Sequence, residues 1–151
     1  MKIVVACDHG GFPLHEVVLE AIKEAGHEAI DLGIAEYEPV DFPDYAEKAA
    51  KVLNAGGADR AILMCGSGIG ISIAANKIKG VLAGLCHDTY SAHQGVEHDD
   101  MNALCMGGLV IGKALAKDIV KAFLNAEPDG VESHVRRVEK IKKLEEQFDE
   151  A

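Results

Sequence analysis

One stretch of the chain combines a cysteine with three closely spaced glycines and could perform acid–base chemistry. Residues 60–77, RAILMCGSGIGISIAANK, are an apolar run ending in Cys65, followed by Gly66, Gly68 and Gly70 and then by a helical pattern. A strand that turns directly into a helix leaves backbone N–H groups free, and the first turn of the helix attracts negative charge. The same field favours the thiolate form of Cys65. The stretch therefore predicts a reactive sulfur beside an anion-binding cradle of amides.

The common classes of glycine-rich loop do not fit this stretch. The glycines lack the G-x-G-x-x-G spacing of dinucleotide-binding proteins, and no lysine follows the last glycine as in P-loop nucleotide triphosphatases. A cysteine phosphatase would need an arginine six residues after its cysteine, where this chain has Ile71. A receiver domain would need an aspartate in place of Cys65. A purely structural turn is the alternative, but three glycines directly after a cysteine favour a functional loop.

Polar residues also follow two other apolar runs. Asp8 and His9 come after the first run, and His87 and Asp88 come after the fourth. In open parallel sheets, ligands bind beyond the carboxyl ends of the strands, so these residues and the cysteine loop are expected at one edge. Asp8 could instead cap a helix. His98 precedes the last apolar run, and a histidine there could act as a general acid or base near neutral pH.

The elements that must position these groups alternate between strands and helices. Short apolar runs predict buried parallel strands within 3–7, 28–32, 61–65, 82–86 and 103–111. Between them lie apolar stripes with helical spacing, which begin at Leu14, Tyr45 and Leu115. This alternation predicts a doubly wound α/β sandwich with a five-stranded parallel sheet.

The last apolar stripe has different surroundings. In a highly charged segment, apolar residues recur every three or four positions, at Val131, Val135, Val138, Ile141, Leu144 and Phe148. Two interpretations are open for this helix, which spans about 132–148. It packs either on its own sheet or on a second subunit.

Composition limits the class of protein. With 151 residues, of which 48% are hydrophobic, the chain is expected to form one domain, 1–151, with a full core. No apolar run has the length of a membrane helix and no stretch resembles a signal peptide, so we expect a cytoplasmic protein. The net charge of −10 argues against nucleic acid or an acidic membrane as a partner.

The four cysteines lie far apart in the sequence. Cys7, Cys65 and Cys86 close apolar runs and Cys105 lies inside one, so most of them are expected to be buried free thiols. No ligands cluster at the short spacings of a zinc site. Disulfides are not expected in a cytoplasmic domain of this size.

Taken together, these motifs resemble the ribose-5-phosphate isomerase B / galactose-6-phosphate isomerase family. The matching pieces are CDHGGF (7–12), VDFPDYA (40–46), CGSGIGISIAANK (65–77), HDTYSA and EHDDMNAL (within 87–104) and HVRRV (134–138). The resemblance implies a Rossmann-like three-layer α/β/α sandwich that forms a homodimer or a dimer of dimers, with active sites between subunits. The resemblance favours packing of the last helix on a second subunit. It also implies a sugar phosphate substrate, and aldose–ketose isomerisation requires no metal or redox cofactor.

The resemblance also assigns roles to residues. It implies that Cys65 is the base that moves a proton between C1 and C2 of the open-chain sugar, and that His98 is the acid that opens the furanose ring. Some relatives have a glutamate base directly after the last loop glycine, where this chain has Ile71. Substrate contacts, including a cradle of amides for the enediolate oxygen, would come from Asp8, His9, Gly66, Ser67, Gly68, Ile69, Gly70, Asp99 and Arg137.

The chain departs from the family pattern at four positions. Leu109 and Ser133 stand where relatives commonly carry arginines, Asp99 replaces an asparagine after the histidine, and Phe42 replaces a tyrosine. Two missing cations and one added carboxylate would weaken the binding of a phosphate dianion. We expect an isomerase of ribose 5-phosphate or, alternatively, of another or an unphosphorylated sugar. A non-catalytic sugar-binding protein is a further alternative, against which Cys65, Ser67 and His98 argue.

Overall fold

A parallel sheet lies at the centre of the structure, a computed structural model that describes residues 1–34 and 37–149. Its strands are β1 (Lys2–Cys7), β2 (Glu28–Asp31), β3 (Arg60–Cys65), β4 (Ala83–Leu85) and β5 (Ala103–Gly107). The helices are α1 (Phe12–Glu24), α2 (Phe42–Asn54), α3 (Ile69–Asn76), α4 (Thr89–Asp99), α5 (Lys113–Asn125) and α6 (Glu132–Asp149). The predicted α/β fold class is confirmed. Each predicted strand agrees with an observed one, and β5 occupies only the first part of 103–111.

The strand order is β2-β1-β3-β5-β4, and every pairing is parallel. Successive residues of a strand face opposite sides of the sheet. In β1, Ile3 and Val5 face one layer of helices and Val4 and Ala6 face the other, and all four are 0% exposed. The burial of both faces explains why the strands are continuous apolar runs and do not alternate with polar residues.

Helices cover both faces of the sheet and complete the three layers. Helices α1, α4 and α5 pack on one face, and α2 and α3 pack on the other. In β3, Ile62 and Met64 face the first group, whereas Leu63 and Cys65 face the second. The two connections after β1 and β3 therefore enter helices on opposite faces of the sheet.

This divergence opens a crevice at the carboxyl ends of the central strands. From β1 the chain crosses to β2 on one side and then returns to β3 on the other side of β1. At such a switch point the loops leave the sheet in opposite directions, and ligands of α/β proteins bind between them. The loops that begin at Asp8 and Gly66 form the two sides of this crevice.

The helix α4 carries the chain to the opposite end of the sheet. It begins after the carboxyl end of β4 and ends before β5 begins. Asn102, between α4 and β5, anchors this end: its side chain accepts the Leu82 N–H at 2.8 Å, and its carbonyl accepts the Ala61 N–H at 2.8 Å. His98, in the last turn of α4, therefore lies near the amino ends of the strands. Cys65 lies at the carboxyl end of β3.

A buried arginine fixes the amino end. Arg60 is 7% exposed and donates to the Phe123 carbonyl at 2.6 Å and to the Ala126 carbonyl at 2.7 Å. Its guanidinium also lies 5.3 Å from the centre of the Phe123 ring. The first residue of β3 thereby holds the end of α5 and the start of the segment that leads to α6.

The helix α6 packs on α4 of its own chain. Val138 is 8% exposed, the Lys142 ammonium lies 3.2 Å from an Asp100 carboxylate oxygen, and a Glu145 carboxylate oxygen accepts the Gly80 N–H at 3.0 Å. Other apolar side chains of α6 stay exposed, including Leu144 at 54%. The proposed contact of residues 132–148 with a second subunit stays a prediction. Among the described residues, no helix combines the length and the apolar character needed to cross a membrane.

Candidate active site

The sulfur of Cys65 lies against the glycine loop. Cys65 is 4% exposed, and its Sγ accepts the Gly68 N–H at 3.2 Å. Gly68 makes this turn with a φ of +78°, and a Cβ there would lie 2.8 Å from the Met106 carbonyl carbon. Only glycine satisfies both conditions without strain. The Gly68 amide thus holds the Cys65 sulfur at the start of the glycine loop.

Unpaired amides continue from this sulfur into α3. The Ile69 N–H donates to Ser67 Oγ at 3.2 Å. The N–H groups of Gly70 and Ile71, in the first turn of α3, have no hydrogen-bond partner within residues 1–34 and 37–149. Such first-turn donors are the groups that bind anions at helix N-termini. The predicted cradle of amides at residues 66–70 thus exists in the structure, while its substrate contacts stay a prediction.

The loop after β1 packs directly against the cradle. The buried carboxylate of Asp8 accepts the N–H groups of Gly10 at 2.8 Å and Gly11 at 3.0 Å. A Cβ on Gly10 would lie 2.6 Å from the Gly66 nitrogen, so the two loops touch through backbone atoms. Asp8 therefore stabilises its own turn. It does not cap α1, whose N-cap is Gly11 and lacks a side-chain hydrogen bond, so the capping interpretation is wrong. The Nδ1 atom of His9 accepts the Val40 N–H at 3.3 Å.

Two of the departures from the family pattern form walls of the cradle. The ring of Phe42 lies over Gly70, where a Cβ would be 2.6 Å from the ring. The Leu109 side chain, 81% exposed, lies 3.4 Å from the position of a Cβ on Gly66. The substituted positions thus adjoin the loop glycines, and one of them places an exposed apolar side chain there.

The other cysteines are buried free thiols, as predicted. Burial raises the pKa of Cys7 and of Cys86 to about 11 in each case. Burial also raises the pKa of Cys105, well above its usual range. These three sulfurs are protonated near neutral pH, which excludes them as thiolate bases.

A second cluster lies at the amino end of the sheet. The rings of His98 and His134 stack with centroids 4.0 Å apart, and both approach the carboxylate of Asp129. Asp129 Oδ2 is 2.8 Å from His134 Nδ1 and 3.6 Å from His98 Nε2. The hydrogen bond from His134 and that from the Val131 N–H lower the pKa of Asp129. The cluster couples two imidazoles to one anionic carboxylate and can hold or move protons.

The same cluster could hold a metal ion. One ligand atom each from His98, Asp129 and His134 lies within 4.8 Å of the others. The Asp129 carboxylate is already bound by His134 and by a backbone amide. The Asp129 carboxylate is therefore satisfied by hydrogen bonds, and the cluster fits acid–base chemistry. It lines a cavity of about 340 Å³ between α4, α6 and the loop before α6.

The predicted site residues separate into two sets within one chain. Those of the crevice are Asp8, His9, Cys65, Gly66, Ser67, Gly68, Ile69 and Gly70. The remaining three, His98, Asp99 and Arg137, lie on α4 and α6, and Arg137 is exposed in the second turn of α6. A single chain does not bring these two sets together, since the sheet separates Cys65 from His98.

Sequence reasoning missed three residues of the amino-end cluster. His134 belongs to a recognised motif, HVRRV, but was not assigned a role, and Asp129 was not considered. Gln94 stands one helical turn before His98, and its amide nitrogen is 2.9 Å from His98 Nδ1. The spacing of four residues between Gln94 and His98, which is one helical turn, was the available signal for Gln94.

Known proteins resemble this chain in sequence and in fold. A family model described as Ribose/Galactose Isomerase matches residues 3–141. The chain is 43% identical to ribose-5-phosphate isomerase B of Escherichia coli over 96% of this chain and 97% of that protein. It superposes on ribose-5-phosphate isomerase B of Clostridium thermocellum with a TM-score of 0.94 and 43% identity, covering 98% of this chain and 99% of the other. For the Mycoplasma genitalium enzyme, solved with bound ribulose 5-phosphate, the TM-score is 0.89 at 36% identity, covering 96% of each chain. The chain therefore belongs to the ribose/galactose isomerase family and is a sugar-phosphate aldose–ketose isomerase.

Proposed function

We propose that this protein interconverts ribose 5-phosphate and ribulose 5-phosphate, with Cys65 as the base. The observation that carries the proposal is the contact between the Cys65 sulfur and the loop amides, with the unpaired N–H groups of Gly70 and Ile71 beside it. A base and oxyanion donors at one place are what an enediolate mechanism requires. The related Mycoplasma genitalium enzyme, which binds ribulose 5-phosphate, supports the choice of sugar.

In the proposed reaction, the Cys65 thiolate takes the proton from C2 of the open-chain aldose and returns it to C1. The hydroxyl oxygen on C2 loses its proton and becomes the ketose carbonyl, while the former aldehyde oxygen gains one. Negative charge on these oxygens would be stabilised by the N–H groups of Gly70 and Ile71. Ring opening comes first and moves a proton from the anomeric hydroxyl to the ring oxygen. An imidazole suits this transfer because it both accepts and donates protons near neutral pH.

The same proposal requires two chains. Cys65 and His98 lie at opposite ends of the sheet, so His98 would reach the Cys65 crevice only from a second chain. In a two-fold symmetric dimer, each carboxyl end would meet the amino-end cluster of the other chain, which gives two equivalent sites. Exposed apolar side chains near the crevice support such a contact: Ile69 is 52% exposed, Ile73 58% and Val110 56%.

The sugar phosphate group would bind near Arg137. Its neighbour Arg136 is already paired with Glu132, with two contacts of 3.0 Å. Arg137 has no ion-pair partner in the described part of the chain. An arginine without a carboxylate partner is the better phosphate ligand, because its donors are not already committed.

A second candidate is the isomerisation of a different sugar phosphate. The observation that favours it is Leu109, which is 81% exposed beside Gly66 where relatives commonly carry an arginine. A substrate with less charge or more apolar surface near that position would suit a leucine. Initial rates on ribose 5-phosphate, allose 6-phosphate, an erythrulose phosphate and free pentoses would separate the two candidates. The first requires that kcat/KM be highest for ribose 5-phosphate.

Mixing two variants that are each impaired on ribose 5-phosphate tests the two-chain site. We expect Cys65→Ala and His98→Asn chains, unfolded together and refolded at equal amounts, to recover about one quarter of the wild-type rate. Half of the dimers would be mixed, and each mixed dimer would contain one intact site. If Cys65 and His98 of the same chain formed the site, the mixture would show only the mean rate of the two parents. That result would contradict the proposal.

A further inference from the structure

The side-chain amide of Gln94 links His98, in the amino-end cluster, to the carboxylate of the next residue, Asp99. Gln94 Nε2 lies 2.9 Å from His98 Nδ1 and 3.3 Å from Asp99 Oδ2. Gln94 and His98 are one helical turn apart on α4, so this contact follows from helix geometry. Neither the mechanism proposed above nor the family pattern gives Gln94 a role.

The carboxylate decides which end of the amide faces the histidine. The oxygen and nitrogen of a glutamine amide have nearly the same shape, so their positions are assigned from their partners. An ionised carboxylate such as Asp99 can only accept hydrogen bonds, so the amide NH2 group must face it. The same nitrogen, with its second hydrogen, faces His98 Nδ1. Turning the amide over would bring its oxygen against the Asp99 oxygen, which repels it, and would lose the hydrogen bond to Asp99.

This orientation fixes the position of the proton on the neutral His98 ring. Because Gln94 donates to Nδ1, that nitrogen must carry a lone pair, and the ring proton must be on Nε2. The Nε2 atom is 3.6 Å from Asp129 Oδ2, which is too long for a hydrogen bond. The side chain is 35% exposed. The Nε2–H group is therefore uncommitted and accessible for donation.

We infer that Gln94, oriented by Asp99, is a positioning residue that holds neutral His98 in the Nε2–H form. The catalytic half of this inference rests on the proposed function, in which His98 donates a proton to the ring oxygen. The proton position is a property of the folded chain and does not depend on any substrate. The inference also gives Asp99 a role that an asparagine could not fill. A carboxylate only accepts hydrogen bonds, so it allows one orientation of the Gln94 amide.

The proton position is measurable without activity. A two-bond 1H–15N correlation spectrum of the uniformly 15N-labelled full-length protein reports which ring nitrogen of each histidine is protonated. The spectrum is recorded at a pH of about 8.5, where an ordinary imidazole is neutral, and the His98 signals are identified by their loss in His98→Asn. We expect protonated Nε2 and unprotonated Nδ1. A wild-type spectrum with protonated Nδ1 would overturn the inference.

Two variants test whether Gln94 is the cause. In Gln94→Glu a carboxylate replaces the donor, so we expect the proton to move to Nδ1. In Asp99→Asn the amide is free to turn, so we expect both forms. The matched control is His93→Gln, which removes a surface pair with Glu97, the residue directly before His98. The His98 signals should be unchanged in this variant. If Gln94→Glu is folded, as judged by thermal denaturation, and still shows only Nε2–H, Gln94 does not set the proton position.

Activity distinguishes this inference from the proposed function. Gln94→Glu should lower kcat/KM by about tenfold or more for ribose 5-phosphate, which must be ring-opened, because a positioned acid contributes about 10²–10⁴-fold. Erythrose 4-phosphate, an aldose whose C4 oxygen is phosphorylated, cannot close a furanose ring, so its kcat/KM should change by less than about twofold. Equal losses on both substrates would contradict the positioning role. If the wild-type protein turned over neither substrate, the proposed function would fail, while the spectra would still test Gln94.

Discussion

The two ends of the sheet are built from different parts of the polypeptide. At the carboxyl end, backbone amides line the crevice, and the glycines at 10 and 68 allow loops to touch where a Cβ would collide. At the amino end, side chains of α4, α6 and the loop before α6 form a network of imidazoles, carboxylates and an amide. A backbone cradle has a fixed geometry and charge, whereas a side-chain network can change its protonation.

The difference matches the two chemical tasks of an aldose–ketose isomerase. Stabilising an enediolate needs donors that are already in place before the charge develops, and backbone amides held by tight turns provide them. Opening a sugar ring needs a group that gives up a proton and recovers it, which a histidine does near neutral pH. The comparison therefore predicts that variants at the carboxyl end abolish the reaction, whereas variants at the amino end affect selected substrates or conditions.

The largest effect is expected for Cys65→Ala. Removing the base should lower kcat by about 10³-fold or more, since a positioned base contributes about 10²–10⁴-fold and the sulfur also closes the cradle. The measurement is a coupled assay, with circular dichroism to verify folding. Cys86→Ala is the matched control, because its buried thiol has a pKa of about 11 and should contribute little to the rate. An unaltered rate in Cys65→Ala would show that another group carries the proton.

Gly68→Ala should give the next largest effect. A Cβ at this position would collide with the Met106 backbone, so the Gly68 N–H should lose its contact with the Cys65 sulfur. We expect kcat to fall by about 10²-fold, as for the loss of an oxyanion donor. The control is Gly56→Ala, which has a φ of +75° but no atom within 4 Å of its Cβ position. Both variants carry a similar backbone strain of about 1–2 kcal/mol, so equal rates would argue against the cradle.

His98→Asn should have a smaller and selective effect. Loss of the ring-opening acid should lower kcat/KM for ribose 5-phosphate by about tenfold to a hundredfold, partly because some sugar opens without the enzyme. Erythrose 4-phosphate, which cannot close a furanose ring, should be affected by only about twofold. Initial rates on the two aldose phosphates provide the comparison. A larger loss on erythrose 4-phosphate than on ribose 5-phosphate would exclude a ring-opening role.

The smallest effect concerns the acid stability of the amino end. Hydrogen bonds, first of all from His134, lower the pKa of Asp129 below its unfolded value of about 3.9. This contribution to stability is fully present above about pH 5 and is lost as the pH falls through the folded pKa. It should be small because Asp129 is exposed. Melting temperatures of the wild type and Asp129→Asn should therefore converge as the pH falls from 7 to 3, and a constant difference would contradict this origin.

The carboxyl end was largely predictable from the sequence because its parts are local. The loop of residues 66–70 follows a strand and opens a helix, and both elements are visible as apolar patterns. The strand order was less accessible, since the pairing of β5 with β3, and of β4 with β5 at the edge, depends on contacts distant in sequence. The five strands could be predicted from their continuous apolar runs alone, without knowing which strands lie beside them.

The amino-end cluster was only partly predictable. His98 could be singled out by residue type, but the stacking of His134 on it depends on how α6 packs against α4. Asp129 precedes α6 in a segment that is held by the buried Arg60 through the carbonyls of residues 123 and 126. These contacts join residues about 65 positions apart in the chain, and no local pattern reports them.

The strand β3 directs the side chains of its first and last residues to different helical layers. Arg60 and Cys65, its first and last residues, are five positions apart, an odd number, so their side chains point to opposite faces of the sheet. Arg60 thereby holds the layer of α4 and α5, while Cys65 faces the layer of α2 and α3. Deleting one residue from β3 would make the separation even and direct both side chains to one face. Under the proposed mechanism, the parity of this six-residue strand serves catalysis as well as folding.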